Sequence, residues 1–82
     1  MDEQRIERKV NAILTGLCGA EDGELEFDLD LFEAGLLDSF GVIQLLLELE
    51  DAFGISLQIE TIPRERISTP ERIAALVREA SE

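Results

Sequence analysis

Apolar residues return at helical spacing in three stretches of this chain, and each stretch is bounded by residues that start or stop helices. In the first, Ile6, Val10, Ile13, Leu14 and Leu17 share a face, while Glu7, Arg8, Lys9 and Asn11 fall on others. This spacing predicts a helix from about residue 3 to 18, stopped near Gly16 or Gly19. In the second, Val42, Leu45, Leu46, Leu49 and Phe53 form one stripe of a helix running from about 39 to 53 and ending before Gly54. Phe40, Ile43 and Leu47 form a second stripe, roughly 130° around the same axis. The third helix has a clear start in Ser68-Thr69-Pro70-Glu71, with Thr69 as cap and Pro70 in the first helical position. Its inner face is Ile73, Leu76, Val77 and Ala80.

The connections carry their own pattern. From Gly19 to Asp38 the chain holds Gly19, Gly23, Gly35 and many acids, yet Leu25, Phe27, Leu29, Leu31 and Phe32 are too apolar for a free linker. Some of them are expected to pin this loop onto the helices, and a loop of such length is more often functional than not. Ile55, Leu57 and Ile59 alternate, but no partner strand is evident, so an extended connection docked on the core is expected. Thr61 to Ile67 has room for one short helical turn or two. The predicted fold is all-α: a single domain over 1–82, a small bundle of three main helices, antiparallel or oblique, plus one short helix and a long first loop.

Composition narrows the functions available. There are 19 acidic against 7 basic residues, a formal net charge of -12, which repels nucleic acid and anionic membrane surfaces and favours partners with basic patches. Four Phe without Trp or Tyr imply a mainly aliphatic core. The single cysteine, Cys18, has no disulfide partner and is expected to pack as a small apolar residue, and no histidine or CxxC motif offers a metal site. A calcium loop beginning at Asp28 fails, because Phe32, Glu33 and Ser39 stand where a ligand, a glycine and a glutamate are needed. The N-terminus has no apolar run after a basic start, and no stretch approaches a membrane span. These features make a monomeric cytoplasmic protein the expectation.

Catalysis by the bare polypeptide finds little support. A serine nucleophile needs a base, and the chain has no histidine. Ser39 is not in a GxSxG elbow, and the only lysine, Lys9, lies on a charged helix face. Paired carboxylates would need a cleft to separate their pKa values. Asp38-Ser39 reads first as a helix cap, either side chain contributing about 1 kcal/mol. It also reads as an attachment point, since backbone N–H groups at a helix start favour a phosphate on the serine oxygen. Gly41 costs the first turn about 1 kcal/mol relative to Ala, either tolerated there or clearing space beside Ser39. A protein this small is not expected to bury both stripes of the second helix, so the Phe40-Ile43-Leu47 stripe reads as a docking surface.

Phe32-Glu33-Ala34-Gly35-Leu36-Leu37-Asp38-Ser39-Phe40, followed by a leucine-rich helix ending in Glu50-Asp51-Ala52-Phe53, resembles the acyl and peptidyl carrier proteins. The resemblance covers most of the chain and implies the acyl-carrier type of small bundle. It implies 4′-phosphopantetheine on Ser39, with an acyl or aminoacyl thioester on the arm's thiol. Asp38 would help a phosphopantetheinyl transferase position magnesium and coenzyme A. Phe40, Ile43 and Leu47, with Gln44 and Leu37 beside them, would dock partners, and Glu48, Glu50 and Asp51 would attract basic surfaces.

Within that family, Gly35 to Gly41 and Leu45-Leu46-Leu47-Glu48-Leu49-Glu50 most resemble the D-alanyl carrier proteins of teichoic acid modification. Phe40, Gly41 and Gln44 depart from fatty-acid carriers, which usually have Leu then Asp after the serine and an acid at the position of Gln44. Val42, Ile43 and Gln44 also depart from the commonest D-alanyl carrier pattern. The resemblance implies no enzymatic activity and three kinds of partner: the transferase, an ATP-dependent D-alanine ligase and a downstream acyltransferase. A stand-alone peptidyl or acyl carrier for another pathway is the alternative, and an acidic helical adaptor without a prosthetic group is the reading from a different class.

Overall fold

Glycines end two of the helices. In the computed structural model, which describes residues 3–19, 26–58 and 61–81 (Cys18 by its backbone only), α1 runs Glu3–Cys18 and Gly19 follows it at φ +69°. α2 runs Ser39–Phe53, and Gly54 caps it at φ 64°, ψ 36°, its N–H donating to the Glu50 carbonyl. Both glycines adopt the left-handed conformation that costs other residues about 1 kcal/mol or more. A short 3₁₀ helix, Arg64–Ile67, precedes α3, Pro70–Ser81. At the start of α3, the Thr69 hydroxyl accepts the Arg72 N–H at 3.1 Å. These bounds agree with the expected ones for α1 and α2 and with the expected start of α3.

α1 packs against α2 and α3, and the short helix packs against α3. The core is Ile6, Val10 and Leu14 from α1, Leu45, Leu46 and Leu49 from α2, and Ile73, Ala74, Leu76 and Val77 from α3. Ile67 of the short helix and Leu31 and Leu37 of the long loop complete it. Ile13, Leu17, Val42 and Phe53 are half-buried around it. No polar or charged side chain is buried among the described residues. Burial of each such aliphatic side chain is worth about 1.5–3 kcal/mol, so this aliphatic centre is the main source of stability. No described helix is long and apolar enough to cross a membrane.

Backbone hydrogen bonds fasten the long loop to the other end of the chain. The Leu31 N–H donates to the Ser68 carbonyl at 2.7 Å, and the Glu71 N–H donates to the Phe27 carbonyl at 3.0 Å. Leu31 is fully buried, Leu29 and Phe32 are half-buried, and Phe27 is 41% exposed. Of the described residues expected to pin this loop, Leu31 is the fully buried one, and Leu37 joins it in the core. The expectations for Leu25, Ile59 and the Cys18 side chain fall outside the described residues.

The Ile55–Gln58 stretch has no regular secondary structure, and no strand forms among the described residues. A carboxylate oxygen of Glu50 accepts the Leu57 N–H at 2.7 Å and ties this stretch to α2. Lys9 closes the same end of α2. Its ammonium donates to the Ala52 carbonyl at 3.3 Å and stands 5.4 Å from the Phe53 ring centroid.

Candidate functional site

The long loop delivers Asp38 in an extended conformation (φ -123°, ψ 179°), the geometry of an N-cap. Its Oδ1 accepts the Gly41 N–H at 2.7 Å, and its carbonyl accepts the Val42 N–H at 2.9 Å. Of the two side chains able to cap this helix, the structure uses Asp38. Ser39 is thereby released to occupy the first helical position. It is exposed, and its hydroxyl has no hydrogen-bond partner among the described residues. The Phe40 N–H also lacks an acceptor among them, one of the free donors that every helix start leaves.

Gly41 serves its neighbours rather than Ser39. A Cβ at this position would stand 3.3 Å from Leu37 Cδ1 and 3.4 Å from Asp38 Oδ1. Its absence lets the carboxylate close onto the Gly41 N–H while Leu37 tucks beneath. Leu37 is accordingly a correction to the expected docking surface: it is 5% exposed and belongs to the core. The cause is the loop, which turns at Gly35 (φ 75°) and places both the Leu36 and Leu37 N–H groups on the Leu31 carbonyl.

The residues of the second stripe stand in the open, with Phe40 83%, Ile43 54% and Leu47 53% exposed. Gln44 is exposed beside them, as are Glu48 and Asp51. Glu50 differs, because its carboxylate is engaged by the Leu57 N–H and it is half-buried. Its expected role in attracting basic surfaces gives way to a structural one.

Two cavities flank this helix start. One, of about 370 Å³, is lined by Asp38, Phe40, Gly41 and Gln44 over Leu17 and Leu36, with no basic residue in its wall. The other, of about 220 Å³, is lined by Ser39, Val42, Ile62, Arg64 and Ile67. Sequence reasoning did not single out Arg64, which lines this cavity with Ser39. Its guanidinium carbon stands 4.1 Å from the centroid of the Phe32 ring. Phe32 was expected only to pin the loop, and Arg64 carried no signal in the sequence, because the short helix, the loop and α2 meet only in the folded chain.

The arrangement suits a phosphate ester. A primary alcohol stands unhindered at a helix start, where free N–H groups and the helix dipole favour an anion, and a cation lines the adjoining cavity. Chemistry of this kind is that of 4′-phosphopantetheine attachment, and the donor set fits it.

Comparison with known proteins agrees. A family model described as "Phosphopantetheine attachment site" matches residues 8–77. A D-alanyl carrier protein of Lacticaseibacillus casei (strain BL23) is 42% identical over 80 residues, covering 98% of this chain and 99% of the relative. A D-alanyl carrier protein of Lactococcus lactis subsp. cremoris (strain MG1363) is 38% identical over 77 residues, 94% of this chain and 98% of its own length. That of Bacillus velezensis is 35% identical over 68 residues, 83% of this chain and 87% of its own length. Because the likeness extends from α1 through the loop and α2 into α3, and not over the Asp-Ser motif alone, the chain belongs to the phosphopantetheine-attachment family of carrier proteins.

Proposed function

We propose that Ser39 is the attachment residue and that the chain, one domain over its 82 residues, is a non-catalytic carrier of D-alanine for teichoic acid modification. The observation that carries this reading is the exposed Ser39 hydroxyl, without a hydrogen-bond partner among the described residues, beside an exposed apolar stripe. When bound, 4′-phosphopantetheine supplies a flexible arm ending in a thiol, on which the D-alanyl group is held as a thioester. The Ser39 oxygen attacks the pantetheine-bearing phosphorus of coenzyme A. A P–O bond forms, the bond to the adenosine 3′,5′-bisphosphate leaving group breaks, and the serine proton passes to a base of the transferase. Asp38 fixes the turn that presents this oxygen, and its exposed carboxylate stands where a transferase's magnesium can be steered.

Phe40, Ile43 and Leu47, with Gln44 at their edge, form the surface that partners grip. Those partners are a phosphopantetheinyl transferase, an ATP-dependent D-alanine ligase and a downstream acyltransferase. The small patch suits contacts that must be released after each step. The names of the relatives favour D-alanine as cargo over that of another peptidyl or acyl pathway. The test is sequential loading followed by intact mass. Arm addition by a transferase, then ATP-dependent gain of one alanyl group with D-alanine and a D-alanine ligase, supports the reading. Arm addition without D-alanylation, while a known D-alanyl carrier is charged in the same tube, moves the cargo to another pathway.

A further inference from the structure

Arg64 is set apart from its basic neighbours on the short helix and α3. Arg66 pairs with Glu79, Arg78 pairs with Glu3 at 2.9 Å, and Arg72 donates to the Glu65 carbonyl at 3.0 Å. Arg64 has no ion pair or hydrogen bond among the described residues, although the chain has a net charge of -12. Asp28 and Asp30 line the cleft on its other side, but neither forms an ion pair with it, and Asp30 Oδ1 already accepts the Phe32 and Glu33 N–H groups. What positions Arg64 is the face of Phe32, 4.1 Å away at the centroid. Stacking of this kind suits a planar guanidinium and leaves its N–H edge free for an oxyanion.

We propose that Arg64, stacked on Phe32, is the ionic partner of the phosphodiester that 4′-phosphopantetheine forms with Ser39. The inference rests on the attachment reading above. Two observations choose the side of the helix. Ser39 and Arg64 line one cavity, whereas the other holds the Asp38 carboxylate and no cation, which repels a phosphodiester. Arginine recognises phosphate through paired N–H donors, and a side chain already held flat loses less freedom in doing so. Phe32 is thus a positioning residue, acting on the arm through Arg64.

The test uses full-length wild type, Arg64→Gln, Arg64→Lys and Phe32→Leu, each converted to the arm-bearing form and verified by intact mass. The phosphorus NMR resonance of the phosphodiester is followed between about 0.01 M and about 1 M salt, over which the Debye length falls from about 30 Å to about 3 Å. Amide shifts at Ile62, Arg64 and Ile67 are compared before and after arm attachment. In the wild type the phosphorus shift moves with salt, and arm attachment perturbs these amides. With Arg64→Gln both responses fall by about half or more, since the charge-assisted pair is gone. Arg64→Lys and Phe32→Leu, which keep the charge but lose the fork or the stack, give intermediate responses. Identical behaviour of Arg64→Gln and wild type, with both carrying the arm, overturns the role of Arg64 and leaves attachment standing. Failure of wild type to accept the arm, while a known carrier is modified alongside, overturns the attachment reading and this proposal with it.

Discussion

The starts of α2 and α3 are built alike and finished in opposite ways. In each, a side-chain oxygen of the cap residue accepts the N–H three residues on: Asp38 from Gly41 at 2.7 Å, Thr69 from Arg72 at 3.1 Å. In each, the cap carbonyl accepts the first helical bond, from Val42 or from Ile73. At α3 the next position is Pro70, fully buried, and the following N–H, of Glu71, is taken by the Phe27 carbonyl. At α2 the next position is Ser39, exposed with its hydroxyl unpartnered, and the Phe40 N–H has no acceptor among the described residues. The fold closes one helix start with its own loop and leaves the other open. Capping chemistry alone does not separate a structural helix start from a functional one. What surrounds the first helical residue does.

The largest way to sharpen this contrast is Ser39→Ala, which should abolish arm attachment while changing stability by no more than about 0.5 kcal/mol, because Asp38 remains as cap. Intact mass and urea unfolding measure the two halves of that statement. Next comes the contrast between the two stripes of α2. Leu46→Ala, at a fully buried position, should cost about 2–5 kcal/mol in urea unfolding. Leu47→Ala, at a position 53% exposed, should cost no more than about 0.5 kcal/mol yet raise the transferase's KM for the carrier. Equal stability losses at these two neighbours would erase the distinction between the core stripe and the exposed one.

The smallest effects compare the caps themselves. Asp38→Ala and Thr69→Ala should each destabilise by about 1 kcal/mol, measured by thermal or urea unfolding. Only Asp38→Ala should also slow arm attachment, since the proposed attachment residue, Ser39, follows that cap alone. If Thr69→Ala slowed attachment as much, the difference between the two starts would be one of stability alone.

Much of this architecture was legible because its signals are local. Gly19 and Gly54 stop helices by backbone conformation, Thr69-Pro70 starts one, and the two stripes of α2 follow from residue spacing. The long loop's apolar residues announced its docking, and Leu31 carries it. The readings that failed depend on contacts between distant segments. Leu37 follows the turn at Gly35 into the core, where it lies under Gly41, so its neighbourhood in sequence with Asp38 and Ser39 misled. Glu50 read as one more acid drawing basic surfaces until the stretch after Gly54 returned Leu57 to its carboxylate. Arg64 and Phe32, 32 positions apart, meet only because the loop and the short helix are both fastened near α3. No spacing rule on one helix reports such a meeting.

The most direct test of the central claim is to treat wild type and Ser39→Ala with coenzyme A, magnesium and a broad-specificity phosphopantetheinyl transferase, then locate the added mass by fragmentation. The account predicts one phosphopantetheine on the wild type, at Ser39, and none on the variant. An arm found on Ser56, Ser68 or Ser81, or no mass gain on folded wild type while a known carrier is modified in the same tube, would contradict it.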